Sequence, residues 1–484
     1  MSNTAKTSAN DRILALLDDN SFVEIGAKVT ARSTDFNMQQ VETPGDGVIT
    51  GYGVINGSLV YVYSQDASVL KGSMGEMHAK KIVRIYEMAM KMGAPIIGLL
   101  DCAGLRLQEA ADALNAFGEL YLKQSLASGV IPQINAIFGQ CGGGLSVAAQ
   151  LADFTFMEQE NAKLFVNSPN ALDNNSTAKC DTASAAYQSK ETGNVDFVGT
   201  QEEVLEEIRH LISILPANNE DDMSYDVCED DLNRGCDDLE NSVGDGALAL
   251  SMISDNQEFF EVKAEYAKEM VTGFIRLNGN TVGAVANRTV LYDEEGKETE
   301  NFEPVLSARG CQKAAEFVNF CDAFHIPVLT LTNVRGYKST KCCENNIAKA
   351  AAKLTYAFAN ATVPKVNVVT KEAFGSGYVT MNSKGLGADV VYAWSNAKIG
   401  MMDANQAVRI MYAEEVKASA DGAALVAEKE KEYISLQQSV EAAAKRGYID
   451  TIIEPADTRK YLIGAFEMLF TKREDRPVKK HGTV

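Results

Sequence analysis

The residues with the clearest chemical promise form two glycine-rich turns. Gly142-Gly143-Gly144 follows Phe138-Gly139-Gln140-Cys141 and precedes Leu145, and Gly375-Ser376-Gly377 lies between Phe374 and Tyr378. Ile131 to Phe138 reads as a buried strand and Leu145 to Leu151 as the start of a helix, while Lys365 to Val369 leads into the second turn. Glycines between a strand and a helix let the backbone approach a ligand, with free N–H groups at the positive end of a helix dipole. Such a turn can hold an anion or a developing oxyanion. One alone decides little, because glycine turns also simply reverse the chain. Two at matching places are stronger.

Other reactive residue types compete with plainer roles. Asp101 at a strand end could be catalytic, but a turn or cap role is the simpler expectation. Cys141 adjoins the first turn, yet no His or Asp arrangement would activate it, so a small buried thiol is expected. His325 precedes a buried strand and reads as a core residue; His78 could equally cap a helix or meet a ligand. Ala89-Met90-Lys91-Met92 spells a biotin-attachment motif, but it ends a helix rather than sitting at a hairpin tip, so attachment there is rejected. The chain holds nine cysteines in no zinc-ribbon spacing, which points to free thiols in a reducing compartment and to no bound metal. Neither a phosphate-binding Gly-x-x-x-x-Gly-Lys-Ser/Thr stretch nor a complete dinucleotide fingerprint occurs.

Composition narrows the class. A chain of 484 residues is too long for one ordinary core, and 46% hydrophobic with 23% charged residues is globular. A net charge of −21 argues against nucleic acid and anionic membranes as main partners, while leaving room for a local basic pocket. Met1 to Asn10 lacks the apolar centre of a signal peptide, and no apolar run reaches the ~20 residues needed to span a bilayer. A cytoplasmic location is expected.

Stepping along the chain, strands and helices alternate, and apolar strands such as Ala94 to Leu100 are continuous, which predicts covered, partly parallel sheets and an α/β core. The pattern then repeats. Asn56-Gly57 and Asn278-Gly279 each read as a hairpin turn. Pro95 and Pro327, Gly104 and Gly336, Pro132 and Pro364, and Gly143 and Gly375 all share one offset (327 − 95 = 232). That constancy predicts a duplication. Two domains are expected, residues 1–240 with a polar linker and 241–484 with a helical extension over Ala423 to Ala444.

Gly72-Ser73-Met74-Gly75-Glu76, His78-Ala79-Lys80-Lys81-Ile82, Tyr356-Ala357-Phe358-Ala359, Met381-Asn382-Ser383-Lys384 and Gly387-Ala388-Asp389 carry a family likeness. The chain resembles the carboxyltransferase subunits of biotin-dependent acyl-CoA carboxylases and of related acyl-CoA decarboxylases of the methylmalonyl-CoA type, over nearly its whole length. The resemblance implies two tandem crotonase-type (ClpP/crotonase-like) domains. It implies an acyl-CoA substrate, and biotin on a separate carrier protein or domain, with a carboxyl group moved between them in a carboxylase or a sodium-pump decarboxylase. Implied partners are the biotin carrier protein, a biotin carboxylase or a membrane decarboxylase subunit, and further copies of the chain. The family assembles as hexamers in which one subunit's N domain faces its partner's C domain.

By the same resemblance Gly143, Gly144, Ser376 and Gly377 are the catalytic backbone donors, serving the thioester enolate and the biotin ureido oxygen. Gly142, Gly104, Arg106, Gly375, Tyr378 and Val379 are the expected CoA- or biotin-binding positions, with Val379 at the acyl pocket. There are departures. The family usually has Gly then Ala where this chain has Ser376-Gly377, and Pro-Gly-Phe where it has Arg335-Gly336-Tyr337. The family's paired glycines and Arg-His beyond that point are replaced here by Cys343 to Lys353. These departures motivate an alternative, a non-catalytic paralogue acting as scaffold or regulatory subunit. A hydratase or isomerase of the crotonase superfamily is a third reading, which needs carboxylates facing the turns.

Overall fold

The computed structural model describes residues 8–32, 42–221, 225–293 and 295–477. The chain divides into two compact units, Met1–Ser224 and Tyr225–Val484.

In the first unit, an eight-stranded sheet is built from β1 (Val23–Glu24), β2 (Val48–Ile55), β3 (Ser58–Gln65), β4 (Ile96–Cys102), β5 (Gln133–Gly142), β6 (Phe154–Glu158), β7 (Lys163–Phe165) and β8 (Phe197–Gly199). Its order is β1-β2-β3-β4-β5-β6-β8, with β7 paired to β5. β2 and β3 form an antiparallel hairpin, and Asn56 and Gly57 both take positive φ, 49° and 80°, as a two-residue primed turn requires. β4 is buried at every residue, the mark of a strand covered on both faces. Helix α1 (Glu76–Met92) buries Ile82, Ile85, Tyr86 and Ala89 at helical spacing and ends on left-handed Gly93. Helix α2 (Ala110–Ala127) packs beside it, and the short helix α3 (Gly144–Gln150) leaves β5 directly.

The second unit repeats this plan with β9 (Phe260–Val262), β10 (Met270–Leu277), β11 (Asn280–Asn287), β12 (Val290–Tyr292), β13 (Glu298–Asn301), β14 (Val305–Leu306), β15 (Val328–Val334), β16 (Gly336–Tyr337), β17 (Lys365–Phe374), β18 (Val390–Trp394), β19 (Lys398–Gly400) and β20 (Thr451–Ile453). Its main sheet runs β9-β10-β11-β15-β17-β18-β20, with β19 paired to β17. The strands β15 and β17 stand 232 residues beyond β4 and β5 at both ends (328 − 96; 365 − 133), the offset read from the sequence.

Equivalent hydrogen bonds confirm the duplication. Asp18 accepts from the Asn56 and Gly57 N–H groups and from Arg209, whose other arm reaches Leu16 O. Asp255 accepts from the Asn278 and Gly279 N–H groups and from Arg459, whose other arm reaches Ile253 O. Lys81 and Lys313 likewise each donate to two backbone carbonyls, Gly45 and Val48 for the one, Lys263 and Tyr266 for the other.

The boundary and the extension differ from expectation. Residues 225–240, read as linker of the first domain, pack in the second unit, where Cys236 and Leu239 enter the core and Cys236 N–H donates to Ala456 O. Two apolar side chains outweigh the acidic run around them. The expected single helix over Ala423 to Ala444 is broken at Ser439, which is extended (φ −67°, ψ 148°) and caps Val440–Lys445 with its hydroxyl.

Burial of lysine predicts a pH dependence. Burial lowers Lys313, 2% exposed, to about 7, and Lys365, fully buried, to about 8. Above those values the unfolded chain carries protons that the fold does not, so stability rises with pH, by up to about 1.4 kcal/mol per unit for each lysine. Buried thiols act oppositely above about pH 9, because Cys102 is pushed up to about 11 and Cys311 to about 12. Denaturant midpoints measured between pH 7 and 9 should therefore increase, and Lys313→Met should flatten the slope.

Candidate functional site

The site residues are positioned by a bulge at the end of the central strand. Leu100 pairs with Ile137 and Cys102 with Cys141, so β5 advances four residues while β4 advances two. Asp101 holds the excess chain: its Oδ1 accepts from Gln140 N–H at 3.2 Å, and its own N–H donates to Gln65 at 3.2 Å. In the second unit Thr332 pairs with Val369 and Val334 with Ala373, the same excess. Asn333, 232 residues beyond Asp101, does the same job, accepting from Glu372 N–H at 3.3 Å and donating its N–H to Asn287 at 3.0 Å. An amide serves there as well as a carboxylate, which assigns Asp101 a bulge-holding role.

From each bulge the strand runs into its glycine turn. Gly143 and Gly375 both have φ +61°, a conformation that a side chain resists. At Gly143 (ψ −132°) the chain leaves β5 and starts α3. Gly142 and Gly144 are glycine for a different reason. A Cβ on Gly142 would lie 2.8 Å from the Phe165 ring, and one on Gly144 would lie 2.7 Å from Phe117 and 3.0 Å from the Tyr121 hydroxyl. That hydroxyl donates to Gly144 O at 2.5 Å, clamping the turn.

The two turns differ in their donors. Gly143 N–H donates to Phe165 O at 2.9 Å, so this expected oxyanion donor is already committed. Gly144 N–H and Leu145 N–H, at the first turn of α3, have no intrahelical partner, and Gly144 is exposed. In the second unit the helix α4 (Gly375–Thr380) likewise leaves the N–H groups of Gly375, Ser376 and Gly377 without intrahelical partners. Ser376 is exposed. Gly377 is buried, its missing Cβ falling 2.9 Å from Val334 and 3.1 Å from Gly336, so the Ala usual in the family would crowd β15 here.

Gly104 (φ +110°) follows the end of β4, and Gly336 (φ +154°) follows β15 and opens β16, which pairs with β14. Arg106 lies inside the unit, held by an ion pair. It is 1% exposed, and its guanidinium meets Asp46 Oδ1 and Glu109 Oε1 at 2.6 Å each and Ser73 O at 2.8 Å. Glu109 in turn accepts from Glu76 N–H at 2.6 Å. The Gly72 to Glu76 motif thus wraps a buried ion pair that braces the segment carrying Gly104. Burial raises Asp46 despite the guanidinium beside it. Tyr378 packs half-buried near Val369 and Ala373, and burial pushes its hydroxyl up to about 12. Val379 is 47% exposed within its unit.

His78 is fully buried between Asp46 O (2.9 Å) and Gln65 (3.2 Å), and burial holds it down to about 3, so it is neutral and structural. His325, expected in the core, is instead exposed at a left-handed turn (φ 56°) before β15. Cys141 is buried and its thiol is pushed far above the ordinary range. Lys91 lies in the last turn of α1. Phe117, Tyr121 and Asn333 were not foreseen; the 232-residue offset from Asp101 pointed to Asn333 alone.

Residues 2–484 match the carboxyl transferase domain. Among curated relatives, methylmalonyl-CoA decarboxylase subunit alpha of Propionigenium modestum is 38% identical, over 99% of this chain and 93% of that protein. The propionyl-CoA carboxylase carboxyltransferase subunit of Haloferax mediterranei is 39% identical, with the same coverage. The crystal structure of transcarboxylase 12S with hydrolyzed methylmalonyl-coenzyme A bound superimposes with a TM-score of 0.92 at 37% identity, over 99% of this chain and 92% of that one. The α/β units are thus crotonase folds. Among the described residues no helix is long and apolar enough to cross a membrane. Whole-length family match, relatives and architecture lead to one conclusion: this chain belongs to the carboxyl transferase family, whose members act on acyl-CoA.

Proposed function

We propose that this chain is a carboxyltransferase subunit that moves a carboxyl group between biotin, borne on a separate carrier, and an acyl-CoA. The observation that carries the reading is the duplicated strand–bulge–turn–helix, with φ +61° at Gly143 and at Gly375, in a chain of this family. Gly144 and Leu145 N–H in the first unit, and Ser376 and Gly377 N–H in the second, are the donors for two developing oxyanions. A preorganised donor of this kind lowers a barrier by ~2.7–4 kcal/mol. The backbone donors fit two neutral carbonyl oxygens that gain charge, a thioester and a ureido group. Carboxybiotin, when bound, would supply the carboxyl group, with the N–H groups of Gly144, Leu145, Ser376 and Gly377 placed to hold the thioester and ureido oxygens. The chain's part is to bind, orient and stabilise; Asp101 is committed to the bulge and is not the base.

The reading includes a biotin carrier partner and a homo-oligomer; transcarboxylase 12S is described as a hexamer assembly. The test is turnover of malonyl-, methylmalonyl- and glutaconyl-CoA with free biotin, using avidin as control. Biotin-dependent turnover of at least one is expected. Folded protein that turns over none of them, and shows no thermal shift with any CoA thioester, would leave the scaffold reading in its place.

A further inference from the structure

A second feature of the Tyr225–Val484 unit is a cleft of about 440 Å³ at the C-terminal ends of its parallel strands. Arg335, Lys371, Lys398 and Glu372 line it, together with Asn333 and Asn396. The β17 bulge sets Lys371 and Glu372 at its wall, and the β17–β19 pairing brings Lys398 opposite Glu372. Arg335 follows β15, fixed by its N–H to Pro304 O at 2.7 Å. Its guanidinium forks onto the Glu372 carboxylate, with one arm at 3.0 Å. Three cations and one carboxylate thus line the cleft, with Arg335 alone paired to Glu372. Asp403 also acts on Arg335 electrostatically, but its carboxylate caps the following helix through Asn405 and Gln406 N–H.

We propose that this cleft is an oxyanion subsite that takes the carboxylate or phosphate terminus of a small ligand. The chain carries a net charge of −21, and a cleft with three cations to one carboxylate runs against that balance and focuses anions there. The Arg335 side chain is 56% exposed, and an exposed ion pair contributes little to stability. A planar guanidinium exchanges one carboxylate for another oxyanion without changing its geometry. Lys371 and Lys398, which line the same cleft, add positive charge for the incoming anion. The subsite belongs to the second unit alone and does not depend on carboxyl transfer.

The test is calorimetric titration of the full chain with inorganic phosphate and with malonate at constant ionic strength. The emission of Trp394, the only tryptophan and buried two residues before Asn396, is read in parallel. Saturable binding of at least one anion is expected; phosphate alone identifies a phosphate terminus, malonate alone a carboxylate. Arg335→Ala/Lys398→Ala should weaken it at least tenfold. Glu372→Gln, which keeps the side chain's size, should tighten it severalfold by releasing Arg335, and it serves where the double variant does not fold. Absence of saturation with both anions, or affinity unmoved by either change, overturns the proposal.

Discussion

Gly143→Ala should lower the rate of carboxyl transfer by about 10²–10³-fold while leaving the protein folded. Nothing lies within 4 Å of a Cβ at this position, so the substitution meets no neighbour. What it meets is its own backbone, because φ +61° with ψ −132° is a region that an L side chain avoids. The chain relaxes by rotating at this residue, which breaks the Gly143 N–H to Phe165 O bond and turns the Gly144 and Leu145 N–H groups away. The loss should appear in kcat, with little change in KM, since these donors are strongest toward the charged transition state. Gly142→Ala is the contrasting variant: its backbone is unstrained, and its effect comes from pushing the Phe165 ring. Wild-type kcat in Gly143→Ala would exclude the first turn as an oxyanion hole. Gly375→Ala carries the same strain at φ +61° and also brings its Cβ to 3.1 Å from Met401 O, so it too should lower kcat, with an added packing cost.

Arg106→Leu is expected to destabilise the fold by about 3–5 kcal/mol, the range for breaking a buried ion pair on one side. Asp46 and Glu109, both almost fully shielded, would then face each other uncompensated. Asp46 is already raised by burial, and removing its cation raises it further. A carboxylate whose folded pKa is raised contributes stability that is present at low pH and lost as pH rises through that pKa. The variant should therefore be less impaired at pH 5 than at pH 7 in denaturant titration. Adding Asp46→Asn and Glu109→Gln should recover part of the loss. An equal penalty at both pH values would show that Arg106 acts by packing rather than by charge.

Much of the fold was readable along the chain. Asn-Gly between alternating strands foretold both hairpins, since only residues tolerant of positive φ make that turn. The constant offset of Pro, Gly and apolar positions foretold two units with one plan, and β4/β15 and β5/β17 keep that offset at both ends. Glycine in both turns foretold a backbone that other residues resist, and Gly143 and Gly375 share the same φ. These are local properties, determined by each residue's own conformational range and by period.

Whether a donor is free or a charge exposed is a different kind of property. Gly143 N–H is committed because β7, some twenty residues on, pairs with the end of β5. Arg106 is buried because a loop sixty residues upstream brings Asp46 to it. His325 is exposed because the chain turns sharply between a helix and β15, whatever the apolar run beyond it. Cys236 and Leu239 join the second unit because its core has room for them. Each outcome depends on a partner distant in sequence, and neither composition nor spacing names that partner. So the order of residues alone identified the two glycine turns and their duplication, and packing determined which N–H groups in those turns are left without a backbone partner in the helix.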